Sequence, residues 1–143
     1  MKKDGVIKLS DGTSLKLTIT VVGAKEAGFS PFGGINIAVK AIGGITTLEV
    51  PEKLKEAVKD KPLIPPQLPH DGWELIDIIE QEPAIDEVEI NTSKGKFLVR
   101  VVGEAVMASR NMNYKSEFNE PVYWLNWVYK ISWKPIKEEE SSS

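Results

Sequence analysis

The sequence predicts a mainly β protein: an antiparallel barrel or sandwich of about seven to eight strands built from hairpins, with one short helix. Three observations predict it. Several segments alternate apolar and polar residues with a period of two, turn-forming residues separate them at hairpin spacing, and one stretch alone carries a helical pattern.

Taken in order, Leu15, Leu17, Ile19 and Val21 alternate with Lys16, Thr18 and Thr20, the pattern of a half-buried strand. Val6 to Ser10 precedes it through Asp11-Gly12, a pair suited to a two-residue type I′ turn, whose central positions both need positive φ. A second hairpin is expected over 35–50. Ile35, Ile37, Val39 and Ala41 share one face, Gly43-Gly44 is the turn, and Ile45 to Val50 returns. Between the hairpins, the long loop Gly23 to Gly34 holds Phe29 and Phe32 among small residues. The two rings either serve as functional contacts or plug the edge of the core.

Residues 51–60 form the one convincing helix. Proline suits its first position, Glu52 and Lys59 complement the dipole, and Leu54, Ala57 and Val58 make a narrow apolar stripe. The run PLIPPQLPHD (62–71), with four prolines, is expected to be extended, a rigid crossover between two halves of the domain. WELIDII (73–79) reads as a strand rather than a helix capped by Asp71, because three isoleucines favour β structure and Pro83 follows. A third hairpin spans 87–91 and 96–107 about Thr92-Ser93-Lys94-Gly95, and Val122 to Trp133 is the clearest strand of all. The whole reads as a single domain over 1–136 with a disordered acidic and serine tail, 137–143.

Charge is unevenly laid out. Residues 1–61 carry net +3, residues 62–93 carry eight acids and no Lys or Arg, and residues 94–134 carry net +4. The acidic and basic blocks either form a dipolar surface that steers partners or pair across neighbouring strands. Lysines outnumber arginines sixteen to two and Gln occurs only at 67 and 81, a composition expected of a thermophilic archaeon or an archaeal virus.

Zero cysteines exclude disulfides, thiol catalysis and thiolate metal sites. No apolar run reaches the ~20 residues of a membrane-spanning helix and no signal-peptide stretch opens the chain, so a cytoplasmic location away from the membrane is expected. Gly28 and Gly33 have phosphate-loop spacing, but Gly34-Ile35 stands where that loop needs Lys-Ser/Thr. His70, the single histidine, lies in the proline-rich loop beside Asp71 and Glu74 without a catalytic or metal motif around it. No catalytic residue, cofactor or metal is expected.

The segment 107–134 carries the remaining chemistry. Tyr123, Leu125, Trp127, Tyr129, Ile131 and Trp133 share the face expected to be core, and Trp124, Asn126 and Lys130 share the other. Just upstream, Arg110, Asn111, Asn113, Tyr114 and Lys115 form a basic, partly aromatic loop. Such residues are enriched at protein–protein hot spots and also stack and neutralise single-stranded nucleic acid. The sequence therefore predicts a non-catalytic protein-interaction or assembly subunit, with a homodimer among its forms. A single-stranded nucleic acid binder is the alternative, and an acid–base enzyme on the acidic block is a third reading.

Overall fold

The computed structural model describes residues 1–137; the expected tail falls almost wholly on 138–143, outside the described residues. Nine strands and one helix follow in the order β1 (Lys2–Lys3), β2 (Gly5–Leu9), β3 (Ser14–Glu26), β4 (Ile37–Glu49), α1 (Glu52–Val58), β5 (Trp73–Ile76), β6 (Ile78–Glu82), β7 (Ala84–Thr92), β8 (Gly95–Asn111) and β9 (Val122–Pro135). They build two antiparallel sheets that pack as a sandwich, and no barrel closes. One sheet is β4-β3-β2-β6. In the other, β7 and β5 lie end to end along one edge of β8, β1 flanks β7, and β9 runs along the opposite edge of β8.

The two sheets are joined on one side by a single ribbon. Lys2 and Lys3 pair with Asp86 and Ile85, and Val6 and Ile7 pair with Glu82 and Gln81, in one unbroken register. The ribbon changes sheet at Asp4 and Pro83. Proline, which has no N–H, suits a point where the ladder is interrupted. A Cβ on neighbouring Gly5 would lie 2.7 Å from the Glu82 carbonyl oxygen, so only glycine fits the crossing. This explains why 73–79 is not one strand: β5 pairs with β8, and the chain after Asp77 pairs with β2 in the other sheet.

The opposite side of the sandwich is open. β4 pairs only with β3 and β9 only with β8, so both keep a free edge among the described residues. Trp127 of β9 bridges the gap by packing on Gly43 of β4, where an added Cβ would meet the indole at 2.5 Å. Gly43-Gly44 is therefore no turn, which corrects the second hairpin. β4 runs straight through both glycines, neither has positive φ, and its partner is β3. The glycine is a landing place for a ring (a role that looks like a turn signal in sequence).

Other boundaries shift for physical reasons. The first turn is a three-residue loop, with Gly12 N–H donating to the Leu9 carbonyl and Gly12 alone at positive φ, rather than a type I′ pair. The helix is shorter than 51–60. Pro51 is its N-cap, Lys59 its C-cap, and only Leu54 and Val58 are buried, Ala57 being exposed. The third hairpin forms as expected about Thr92–Gly95, and β8 extends to Asn111 through a bulge at Val106.

The main core joins Ile7, Leu9, Leu15, Leu17 and Ile19 of the smaller sheet to Ala84, Val101, Ala105, Ala108, Tyr123 and Leu125 of the larger. A second cluster, Ile35, Ile37, Phe97 and Val99, closes the far end beneath the β3–β4 loop. Phe29 and Phe32 do not plug it; they stand 80% and 73% exposed, and Ile35 fills that place instead.

The Trp127–Gly43 contact generates a test. Gly43→Ala is expected to cost about 1–3 kcal/mol through overpacking, whereas Gly44→Ala, whose nearest neighbour would be Thr18 Oγ1 at 3.8 Å, is expected to be nearly neutral. Urea titration of the two variants checks this. Equal losses would return the pair to a turn-like role.

Candidate interaction surface

β9 presents a different surface along its length. Its odd-numbered residues face the smaller sheet, and Tyr123 and Leu125 are buried there. Beyond Trp127, however, β4 no longer covers the strand. Tyr129 is 42% and Ile131 38% exposed, which corrects the expectation that all six odd residues are core. Trp133 is partly buried against the second cluster, and its Nε1–H donates to the Phe32 carbonyl at 3.0 Å. The even-numbered face looks outward, with Trp124 55% exposed and Asn126, Val128 and Lys130 in the open.

Trp124 stands opposite Ser109 of β8, which in turn stands opposite Leu75 of β5. With Trp73, Leu68, Pro69 and His70 it lines a cavity of about 340 Å³. The proline-rich segment makes the wall of this cavity, and Trp73 holds it there by donating Nε1–H to the Pro69 carbonyl at 2.8 Å. Among the described residues no carboxylate lines the cavity, so none of them meets His70 there. A larger cavity of about 540 Å³ opens at one end of the gap between β4 and β9, under Phe118 and beside Thr47, Glu120 and Val122. Among the described residues no cluster of His, Asp and Glu is placed to hold a metal ion.

Several residues read as binding groups have work inside the fold. Arg110 Nη1 donates to Asp11 Oδ2 at 3.0 Å, and its Nε donates to Glu74 Oε1 at 2.9 Å. It thereby ties β8 to the β2–β3 turn and to β5. Tyr123 OH donates to the same Asp11 oxygen at 2.7 Å and accepts from Thr13 Oγ1. Burial raises the Asp11 carboxyl, but hydrogen bonds from Thr13, Tyr123 and Arg110 outweigh it and leave the group below its ordinary value of 3.8. Burial pushes the Tyr123 phenol well up, and the adjacent carboxylate adds to the shift. For Arg110 burial acts downward, yet Glu74 and Asp11 raise it, so it is a fixed cation.

Asn111 is fully buried. Its Nδ2–H donates to the Asp71 carbonyl and its Oδ1 accepts from Asn113 N–H, which fastens the 69–73 segment to the end of β8. Lys115 donates from Nζ to the Lys59 carbonyl, capping the C-terminal end of α1, and its backbone pairs with Pro62 and Ile64. Tyr114 is half-buried, and Asn113 is exposed beside it. Lys130 reaches Glu104 at 3.4 Å. Phe29 and Phe32 lie at the opposite end of the sandwich from this loop and do not join it. The structure thus leaves Trp124, Asn126 and Lys130 spread along one outward face of β9, and gives Arg110, Asn111 and Lys115 scaffolding contacts.

Five of the eight acids of the acidic block are ion-paired. Glu74 meets Arg110, Glu80 meets Lys8, Glu82 meets Lys3, Asp86 meets Lys2, and Glu87 meets both Arg100 and the N-terminal amine. β5 and β7 of the acidic block do lie beside β8 as antiparallel neighbours, but only Arg100 and Arg110 of the basic block meet these acids; the other partners lie in residues 1–8. No helix among the described residues is long and apolar enough to cross a membrane. No family model, no curated protein and no solved structure matches this chain.

The Asp11 network has a pH signature. A carboxyl lowered in the folded state contributes stability that is complete above its unfolded value of 3.8 and is lost as pH falls through the folded value. Asp11→Asn is therefore expected to lose about 1–3 kcal/mol near neutral pH, with the gap from the parent chain narrowing below pH 3.8. Denaturant midpoints measured across that range check it. A gap that stays constant into acid would remove Asp11 ionisation from the account.

Proposed function

We propose that this protein is a non-catalytic interaction or assembly subunit whose recognition element is β9. The observation that carries the reading is a strand with one free edge and apolar residues exposed on both faces: Trp124 and Val128 outward, Tyr129 and Ile131 inward. Natural edge strands are blunted by bulges, prolines, inward charges or lysines; β9 has no bulge, proline or inward charge before Pro135, and its only such device is the outward pair Lys130 and Lys134. An aromatic row of this kind supplies contact area at low conformational cost.

The single-stranded nucleic acid reading has less behind it. Affinity for nucleic acid is built from cations free to meet phosphates. Arg110 and Lys115 are spent on the scaffold, and Lys130 is shared with Glu104. The acid–base reading has less still, because Glu74, Glu80, Glu82, Asp86 and Glu87 are held by lysines, arginines and the N-terminus.

Photo-crosslinking in the native host tests the proposal, with p-benzoylphenylalanine in place of Tyr129 and, as control, in place of Ile79 on β6. Adducts with protein at position 129 and none at 79 are expected. Adducts with nucleic acid would transfer the reading to the alternative, and no adduct at 129 would end it. The Lys-rich, Gln-poor composition supports a thermophilic source. A melting midpoint above the ~45–65 °C mesophile cluster is expected, and calorimetry giving one within it would remove that attribution.

A further inference from the structure

We infer that the occupant of the free β9 edge is a second copy of the same strand, paired antiparallel about a two-fold axis through Val128. This rests on the reading of β9 as the recognition element and adds the partner and the register.

Three features argue it. The first is parity. A two-fold axis perpendicular to a continuous sheet keeps each face on its own side, so outward residues must meet outward ones. The axis must therefore pass through a residue and not between two. The second is what the Val128 register covers. It sets Tyr129 opposite Trp127 of the copy and Ile131 opposite Leu125, and so covers the two inward residues that β4 leaves exposed. On the outer face Asn126 meets Lys130 and Trp124 meets Ser132, pairs that are compatible across a strand. The third is charge. β9 contains Lys130 and Lys134 and no acid, so sliding the axis to position 130 would set Lys130 against itself. The strand is specified against that slip.

The size of the contact is sufficient. Thirteen residues, 122–134, overlap their copies in this register. Alternate pairs exchange two backbone hydrogen bonds each, about 12–14 in all, at the upper end of the ~10 ± 5 of an ordinary protein interface. The same axis puts both four-stranded sheets on one side of the enlarged sheet, with the free edge of β4 turned toward that of its copy. The arrangement is isologous and closes at two.

Because the chain has no cysteine, a single introduced thiol reports the register without background. Light scattering on the purified full chain is expected to give twice 15.9 kDa at concentrations of about 100 μM. Val128→Cys should oxidise to a linked dimer. Lys130→Cys should not, since its copy lies four positions away, ~13 Å along the strand. Tyr129→Lys, at an exposed position, should halve the mass while leaving the circular dichroism unchanged. A monomer at every concentration, or equal linkage at 128 and 130, overturns the inference. A monomer whose position 129 still crosslinks a different protein overturns self-pairing alone. A monomer with no adduct at 129 overturns the binding reading as well.

Discussion

The Asp11 carboxylate is the contact on which the β2–β3 turn end of the sandwich depends. It lies in the β2–β3 turn of one sheet and accepts hydrogen bonds from Arg110 of β8 and Tyr123 of β9 in the other. Through Arg110 it also reaches Glu74 of β5. Three strands of the larger sheet and the β2–β3 turn of the smaller thus meet at one charge-assisted node. With every buried side-chain polar atom among the described residues satisfied, the node acts as a fixed post rather than a hinge. Tyr123 in place leaves Trp124, its neighbour on the same strand, no choice but the outer face.

That constraint links fold to surface. β9 is held at its start by Tyr123 and in its middle by Trp127 on Gly43, and its far end is tied by Trp133 to the β3–β4 loop. Between the second and third of these anchors, Tyr129 and Ile131 have no covering strand. The exposed apolar stretch is therefore rigidly presented, which lowers the entropic cost of recognition.

Much of the architecture was legible in the sequence because it rests on local periodicity. The alternation over 15–21 and 122–133 marks β3 and β9, and Thr92–Gly95 marks a true hairpin. What was not legible depends on partners distant in the chain. Gly43-Gly44 carries every local sign of a turn, and only the indole of Trp127 explains it. Pro83 reads as a strand end, yet it marks a change of sheet. The candidate surface divides in the same way. Parity correctly turned Trp124 outward, but nothing near Arg110, Asn111 or Lys115 in sequence announces Asp11, Asp71 or Lys59 as their partners. Burial of Tyr129 failed as an expectation because cover comes from β4, whose path parity cannot reveal.

The ribbon that joins the sheets has a consequence for how the chain acquires its shape. β3 with β4 and β8 with β9 are neighbours in sequence and can zip early, whereas Lys2–Leu9 must wait for Ile78–Asp86 to be made and brought round. The entropy of closing that long circuit falls on the seam between the sheets. If β9 pairs as proposed, the half-built chain displays that edge before the ribbon side has sealed, and encounters between such chains would begin along β9.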